Sequence, residues 1–377
     1  MTMQKCRYNA AEADMDGDRL LDAFRLLDDA VARGDTPGGV ALVGRRGRIA
    51  GVHAAGAAHP AAAADGDEGG AGIPARPDTI YDCASLTKVV ATLPLALQLV
   101  ERGRLRLADP VAEYIPAFAE GGKGAVTVGQ LLTHTSGLIS HINMYSQGWT
   151  PEEIKAHVFA QPLHYEPGTR AVYSDLGFIT LGEIISLLTG ETLDAAARKS
   201  VFDPLGMRDT RFLPPEELRP RLAATEYNEA LGRHKWGEVH DENALALGGV
   251  SGHAGLFATA EDLAKYAMMW LARGRTENGG RLLSEASVAA ATRSYTTGLP
   301  ANRGLGWVLK GDSFDASGDL MSLSCYGHTG FTGTSIWMDP ALDCFAVVLT
   351  NRVFYGREKS VAGLRNRLHN AVAAACL

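Results

Sequence analysis

The 377-residue chain is poor in cysteine and has no long apolar run, and each absence argues against a class of protein. The few cysteines are scattered, which argues against a disulfide scaffold. No run of about 18 apolar residues is present, which argues against a membrane span. The N-terminal segment lacks the apolar core of a signal peptide, so we expect a cytoplasmic protein, although a leader preceding this chain would reverse that expectation. The five cysteines are Cys6, Cys83, Cys325, Cys344 and Cys376.

Positive charge is also scarce. Lys and Arg number 36 against 43 Asp and Glu, which gives a formal net charge of −7, and no basic stripe is visible. We therefore expect no nucleic-acid partner. The patterns G-x-x-x-x-G-K-S/T and G-x-G-x-x-G at a helix start are absent, so no nucleotide cofactor is expected. Eleven histidines occur without H-E-x-x-H or H-x-H, which argues against a zinc hydrolase, and no metal or other cofactor is predicted.

The most informative feature present is an S-x-x-K pattern, Ser85 and Lys88, where an apolar stretch predicts the start of a helix. Helical residues three apart lie about 5–6 Å apart at Cβ, so the amine is brought next to the hydroxyl. A serine hydroxyl needs an adjacent base to become a nucleophile. Desolvation is expected to lower the pKa of Lys88, and the helix N-terminus favours an oxyanion on the substrate. Alone, the pattern more often marks a helix cap with a solvated lysine.

Two later segments complete a set of three. Residues 173–175 read Y-S-D, and residues 328–330 read H-T-G. Each has an ordinary structural interpretation by itself, since Tyr173 fits an apolar core and H-T-G fits a turn. Serine acyl-transfer enzymes of the S-x-x-K type use three such elements in this chain order. The ordered set therefore predicts a catalytic site.

With these residues the chain resembles the serine β-lactamase and penicillin-binding-protein superfamily, and within it the class C-like branch that contains D,D-peptidases and family VIII carboxylesterases. The resemblance extends from about residue 20 to residue 352, and residues 238–257 are similar to a peptidoglycan-associated subgroup. It implies a serine hydrolase acting on an ester or amide, with a small-molecule or peptidoglycan-derived substrate. A cell-wall substrate fits poorly with a cytoplasmic location. The similar segments are TIYDCASLTK, LADPVAEYIPAF, TVGQLLTHTSGL, EPGTRAVYSDLGFITLGEII, LGGVSGHAGLFATAEDLAKY and YGHTGFTGTSIWMDP.

The resemblance also implies a role for each catalytic residue. Ser85 corresponds to the nucleophile that forms the acyl-enzyme, and Lys88 to the amine that lowers the serine pKa and relays protons. Tyr173 corresponds to the general base or acid, and its phenol needs positive charge nearby, expected from Lys88, to ionise near neutral pH. The backbone N–H groups of Ser85 and Phe331 would form the oxyanion hole.

The substrate-binding positions depart twice from the family pattern. His328, Thr329 and Gly330 would line the pocket or bind a substrate carboxylate, and Asp175 would face the substrate. Asp175 stands where many β-lactamases have Asn, and a carboxylate cannot donate to a substrate carbonyl but can pair with Lys88. His328 stands where most have Lys, and it is expected to titrate near its usual pKa. Both departures favour an esterase or D,D-peptidase and leave slow β-lactam turnover open.

The order of apolar patterns predicts the fold, and 46% apolar content suffices for a large core. An N-terminal helix over residues 20–31 precedes two strands that turn near residues 45–47. Residues 57–75 are rich in Ala, Gly, Asp and Pro, which predicts a flexible loop near the site entrance. Residues 85–213 are expected to be mostly helical and residues 214–239 irregular. Later elements are a helix over 260–272, strands in GLGWVLK, GTSIWMD and CFAVVLTN, and a helix over 360–375.

This order predicts an α+β fold, in which strands from both chain ends form an antiparallel sheet flanked by helices and a mostly helical lobe is inserted. Residues 20–84 and 260–377 would form the sheet lobe, and residues 85–259 the helical lobe of one composite catalytic domain. Ser85 would lie in the cleft between them, with the H-T-G strand as one wall. The oligomeric state is left open.

Several alternatives to the serine hydrolase interpretation remain. Cys83 and Cys325 lie near the motifs in sequence, but small apolar packing is the simpler role for both. His134 is expected to brace a loop, and residues 239–243 to brace a loop or contact substrate. A non-catalytic module that binds muropeptides or acyl ligands would use the same fold. The joint presence of Ser85, Lys88 and Tyr173 favours the enzyme.

Overall fold

The computed structural model describes residues 9–60 and 72–377. The helices are α1 (Gly17–Ala32), α2 (Leu93–Glu101), α3 (Val128–Leu132), α4 (Pro151–Ala160), α5 (Asp175–Thr189), α6 (Leu193–Ala197), α7 (Glu242–Ala246), α8 (Ala260–Leu271), α9 (Glu285–Thr292) and α10 (Ala362–Ala375). The strands are β1 (Gly38–Arg45), β2 (Arg48–His59), β3 (Ile73–Pro74), β4 (Tyr81–Asp82), β5 (Arg211–Phe212), β6 (Tyr227–Asn228), β7 (Arg233–His234), β8 (Leu256–Ala258), β9 (Val308–Leu309), β10 (Tyr326–Thr329), β11 (Ser335–Asp339) and β12 (Cys344–Thr350).

Strands from the two chain ends form one antiparallel sheet of seven strands, in the order β3-β2-β1-β12-β11-β10-β9. The pairing of β1 with β12 joins the ends, with Gly39 opposite Thr350 and Arg45 opposite Cys344. Both strands are buried along their whole length, so they read as continuous rather than alternating apolar stretches. Helices α1 and α10 cover one face and α8 covers the other. The predicted α+β architecture is confirmed.

The helical part of the chain carries short strands that the apolar pattern did not predict. β4, β8 and β5 form a small sheet, which joins three segments distant in sequence, and β6 and β7 form a hairpin in the stretch predicted to be irregular. A two-residue strand offers too little periodicity to be recognised from sequence. The apolar segment GLGWVLK likewise contributes only Val308–Leu309 as a strand.

The prediction of a loop over residues 57–75 is wrong at both ends of that range. Residues through His59 continue β2, and β3 returns to pair with it, Ala57 opposite Pro74. The middle of that loop, residues 61–71, lies outside the described residues. Within the described part of the chain, no single helix is long and apolar enough to cross a membrane, and the pair Asp175–Thr189 and Leu193–Phe202, which passes on length and composition, is bent by 75°.

The helix that begins after β4 starts with a π-helical stretch, Lys88–Thr92, before α2. A glycine-rich segment, residues 248–255, lies along this stretch. Thr92 Oγ1 donates to the Gly252 carbonyl at 2.7 Å, and the Leu256 N–H donates to Thr87 Oγ1 at 3.1 Å. Gly252 also presses against α5, where an added Cβ would lie 2.0 Å from the Phe178 carbonyl oxygen. Only glycine fits this crossing, which sets the distance between three elements.

Replacing Gly252 should therefore destabilise the fold. We expect Gly252→Ala to lower the free energy of unfolding by at least about 1–3 kcal/mol, because overpacking forces backbone to move. Gly363→Ala is the matched control, since Gly363 lies in α10 with no atom within 4 Å of its added Cβ, and alanine there should stabilise by about 0.5–1 kcal/mol. Thermal unfolding of both variants measures the difference. Equal melting temperatures would contradict the close approach at Gly252.

Candidate active site

A tight turn after β4 presents Ser85. The Ala84 N–H donates to Asp82 Oδ1 at 2.8 Å, and Ala84 adopts a left-handed conformation with φ of 45°. Such a conformation costs about 1–2 kcal/mol for a residue with a Cβ, so the surrounding contacts must hold it. The Cys83 N–H is fixed on the Leu256 carbonyl at 2.8 Å. Ser85 then lies at the start of the helix and is only partly buried between buried neighbours.

Lys88 lies beneath the serine with no exposed side-chain surface. Its ammonium contacts three oxygens: Ser85 Oγ at 3.1 Å, the His253 carbonyl at 3.0 Å and Asp175 Oδ1 at 2.7 Å. A lysine ammonium carries three N–H groups, so each has an oxygen to face. The arrangement is that of a fully ligated cation.

The charge of Lys88 differs from the sequence-based expectation. Burial alone would lower the pKa of Lys88, but the Asp175 carboxylate and the Tyr173 phenol outweigh burial, and the pKa is raised above its usual value. Burial alone would raise the pKa of Asp175, but the Lys88 charge and the nearby His141 ring bring it well below its usual range. The pair is therefore ionised at neutral pH. The expectation that burial would lower the pKa of Lys88 was therefore wrong, and the alternative raised with it, that Asp175 pairs with Lys88, is what the structure shows.

Tyr173 lies beside the ion pair, with Lys88 Nζ 4.8 Å from the ring centroid. Burial raises the pKa of Tyr173 more than the neighbouring Lys88 charge lowers it, while the Asp175 charge raises it further. The phenol is thus protonated in the free protein, contrary to the expectation that Lys88 would ionise it. A protonated phenol that contacts both Ser85 and Lys88 can still pass a proton by accepting one while donating another.

The H-T-G segment ends β10 and is joined to the serine turn. Thr334 Oγ1 donates to the Cys83 carbonyl at 3.1 Å, and Thr332 Oγ1 donates to the Asp82 carbonyl at 2.7 Å. A Cβ on Gly330 would lie 2.4 Å from the Cys83 carbonyl oxygen, so glycine is required there. Across residues 9–60 and 72–377, the backbone N–H groups of Ser85 and Phe331 have no acceptor. The oxyanion hole at these two N–H groups stays a prediction, with both donors available to a substrate.

His328 is buried and neutral. Burial, with the Lys88 and Arg303 charges, lowers the pKa of His328 to about 3, so the expectation of a titration near the usual histidine pKa was wrong. Its Nδ1 lies 2.8 Å from the Thr329 carbonyl oxygen, which can only accept, so Nδ1 carries the proton. Nε2 then keeps its lone pair. His328 attracts a carboxylate less than a lysine would at this position.

A cavity of about 420 Å³ opens beside Ser85. Six of the site residues predicted from the sequence line this cavity, whereas Lys88 and Asp175 are not among its lining residues. Three arginines, Arg303, Arg352 and Arg365, also line it, and Arg303 is paired with Asp312 at 2.9 Å. A larger cavity of about 760 Å³, which includes Asp209 and Lys265 in its lining, contains none of the motif residues. The predicted positions that line the smaller cavity are Ser85, Tyr173, His328, Thr329, Gly330 and Phe331.

The sequence analysis missed several residues that complete the site. The His253 ring lies between Ser251 and Asp241, with Nδ1 2.8 Å from Ser251 Oγ and Nε2 3.0 Å from Asp241 Oδ1. This buried array fixes the segment whose carbonyl ligates Lys88. His141 Nδ1 lies 3.8 Å from Asp175 Oδ2. The polar stretch at residues 239–243 was a visible signal, but no motif spacing linked it to Lys88.

In the part of the chain that the structure describes, no group of three or more His, Cys, Asp or Glu side chains converges on a point that would hold an ion. The site is instead built for charge held by protein groups, with the Lys88–Asp175 pair below the serine and free N–H donors above it.

Comparison with known proteins places the chain among hydrolases. A family model described as Beta-lactamase matches residues 23–371. A protein of Escherichia coli (strain K12), named putative D-alanyl-D-alanine carboxypeptidase, is 35% identical over 313 residues, which cover 74% of this chain and 70% of that protein.

Solved structures agree with this match. A novel penicillin-binding protein homolog from Caulobacter crescentus has a TM-score of 0.75 and 25% identity, and the match covers 96% of this chain and 98% of that one. EstCE1, a hydrolase with promiscuous acyltransferase activity, has a TM-score of 0.73 and 23% identity, covering 94% and 99%. The latter similarity supports the fold.

Removing the Asp175 charge should change how hydrolysis depends on pH. With the carboxylate present, Lys88 stays charged to strongly alkaline pH. Asp175→Asn should lower the pKa of Lys88, since the adjacent carboxylate that favours the charged amine is removed while burial remains. If the ammonium is the working form, kcat/KM of the variant falls at alkaline pH where the wild type remains active.

The measurement is kcat/KM for an ester substrate from neutral to alkaline pH. Asp209→Asn is the matched control, because Asp209 pairs with Arg221 at 2.7 Å away from the motif residues. A profile that rises with pH in the Asp175→Asn variant would mean that the free amine is the working form and would contradict this account.

Proposed function

Because the chain belongs to the Beta-lactamase family and is a serine hydrolase, we propose that it is a carboxypeptidase that removes a C-terminal D-alanine, with Ser85 as nucleophile. The observation that carries this proposal is that three arginines, Arg303, Arg352 and Arg365, line the cavity beside Ser85, although Arg303 is also paired with Asp312 at 2.9 Å. A peptide cut at its last bond places its terminal carboxylate on the leaving-group side. The name of the Escherichia coli relative supports the same substrate class.

In the proposed acylation, Ser85 Oγ attacks the carbonyl carbon of the last peptide bond. Tyr173 accepts the serine proton as it gives its own proton to the leaving nitrogen, so the phenol need not ionise. Lys88 remains an ammonium and stabilises the developing serine alkoxide. The N–H groups of Ser85 and Phe331 bind the oxyanion, which is commonly the largest electrostatic contribution to such a step.

Deacylation reverses the roles of these groups. Water attacks the ester carbonyl of the acyl-enzyme, and Tyr173 accepts a proton from the water while it returns one to Ser85 Oγ. The shortened peptide then leaves. This cycle needs no cofactor and agrees with the protonation states of Lys88 and Tyr173 in the free protein.

The non-catalytic binding module is not favoured, since the curated relative is named as a hydrolase and Ser85, Lys88 and Tyr173 are adjacent in space. An esterase is the second candidate. It is favoured by the neutral His328 and by two exposed aromatic side chains at the cavity, Phe314 (52% exposed) and Phe331 (47%), which suit an apolar, uncharged leaving group. A cytoplasmic location stays a proposal, in which a recycled peptidoglycan fragment would be the substrate.

One substrate comparison tests the proposal and separates the candidates. The enzyme is given a peptide ending in D-Ala-D-Ala, the same peptide with a C-terminal carboxamide, and short-chain p-nitrophenyl esters. For a carboxypeptidase we expect kcat/KM for the free carboxylate to exceed that for the carboxamide by about 10–100-fold, since a hydrogen bond to a charged group contributes about 1.5–3 kcal/mol. Released D-alanine or D-alaninamide measures both reactions.

Two variants provide the controls. Ser85→Ala should abolish turnover of every substrate, whereas Ser146→Ala, at an exposed serine of the helical part, should leave it unchanged. Equal rates on carboxylate and carboxamide with faster ester hydrolysis would overturn the carboxypeptidase in favour of the esterase. Full activity of a folded Ser85→Ala variant would overturn both.

A further inference from the structure

One buried histidine holds the backbone on both sides of Tyr173. The His134 carbonyl accepts the Val172 N–H at 2.8 Å, and the His134 ring accepts the Ser174 N–H on Nδ1 at 3.0 Å. The two ring centroids of His134 and Tyr173 are 4.6 Å apart, at an interplanar angle of 39°. His134 therefore contacts the residue before Tyr173, the residue after it and the Tyr173 ring itself.

The backbone of His134 is in a left-handed conformation, with φ of 59°. Glycine is free of strain there, and asparagine, aspartate and histidine occupy this region more often than other residues. His134 is 3% exposed and does not line the cavity beside Ser85. A side chain that cannot reach substrate acts on the reaction through its neighbours.

The ring of His134 is a permanent acceptor at Nδ1. An N–H points at that atom, so Nδ1 holds a lone pair and the proton lies on Nε2. Burial, with the charges of Arg303 and Lys88, lowers the pKa of His134 well below its usual value, so the ring stays neutral. The contact with Ser174 therefore persists across the working pH range.

We propose that His134 is a positioning residue that fixes the Tyr173 phenol on Ser85 and Lys88. The inference rests on the proposed proton transfer by Tyr173. Ser174 caps α5, and Asp175 follows as the first residue of that helix, so the same hydrogen bond also steadies the partner of Lys88. A displacement of about 1 Å in a reacting group can cost about 100-fold in rate. To brace the loop, the backbone carbonyl of His134 would be enough. The aromatic ring adds a contact to the Ser174 N–H and lies beside the Tyr173 ring.

The test uses two variants that both tolerate the left-handed backbone. His134→Asn keeps an acceptor, since its Oδ1 can take the place of Nδ1, whereas His134→Gly removes acceptor and ring together. We expect His134→Asn to keep kcat within about fivefold of wild type and His134→Gly to lower kcat by about 10–100-fold, with KM changed less than about threefold in both. A merely structural role would change the fraction of folded enzyme, not kcat per active site.

Active sites are counted by titration with a fluorophosphonate, so that loss of folded protein is separated from loss of rate. If the His134→Gly variant does not fold, His134→Ala is compared with His134→Asn instead. Both of these variants keep the Cβ, and only His134→Asn keeps a hydrogen-bond acceptor. Equal kcat in the two members of a pair would overturn the role of His134. Tyr173→Phe separates the two proposals: a low kcat keeps the role of Tyr173, and a wild-type kcat overturns that role and the inference with it.

Discussion

The buried ammonium of Lys88 is the interaction on which the site depends. It joins three segments that are far apart in sequence, because its three oxygen contacts come from the serine turn, the N-terminus of α5 and the glycine-rich segment that ends at β8. A buried charge is costly unless it is paired and hydrogen-bonded, and removing one partner commonly costs about 3–5 kcal/mol. The three segments must therefore close together before the fold is stable, which assembles the site as a consequence of folding.

The sheet contributes the other half of the site. In the turn after β10, Thr332 and Thr334 donate hydrogen bonds to the backbone carbonyls of Asp82 and Cys83. The serine turn and the H-T-G strand therefore cannot separate without breaking these buried hydrogen bonds. Ser85 and Phe331, whose N–H groups have no acceptor among the described residues, both line the cavity at this junction. The geometry of the site therefore follows from how the helical part docks on the sheet.

Sequence reasoning located the three motifs, the long strands and the terminal helices, because these carry strong periodicity or fixed spacing. It failed on charge. Burial was expected to deprotonate Lys88, although its pairing with Asp175 was raised as an alternative, and His328 was expected to titrate near neutrality. The actual pKa of His328 is set by burial and by the Lys88 and Arg303 charges, which only the folded structure brings together. It also failed on two-residue strands and on His253, whose contribution is a backbone carbonyl and leaves no side-chain signature. Long-range contacts through backbone atoms have no sequence pattern to read.

The two departures from the family pattern have one electrostatic effect. Asp175 keeps Lys88 charged, and burial, together with the Lys88 and Arg303 charges, keeps His328 neutral. The ammonium contacts Ser85 Oγ at 3.1 Å while its charge is balanced by Asp175 at 2.7 Å. A serine activated in this way should be uniquely reactive in the chain.

The most direct test of this account is to label the protein with a fluorophosphonate and locate the adduct by peptide mass spectrometry. The account predicts one equivalent of label, confined to the peptide that contains Ser85. Label on another serine, such as Ser251, or undiminished labelling of the Ser85→Ala variant would contradict it.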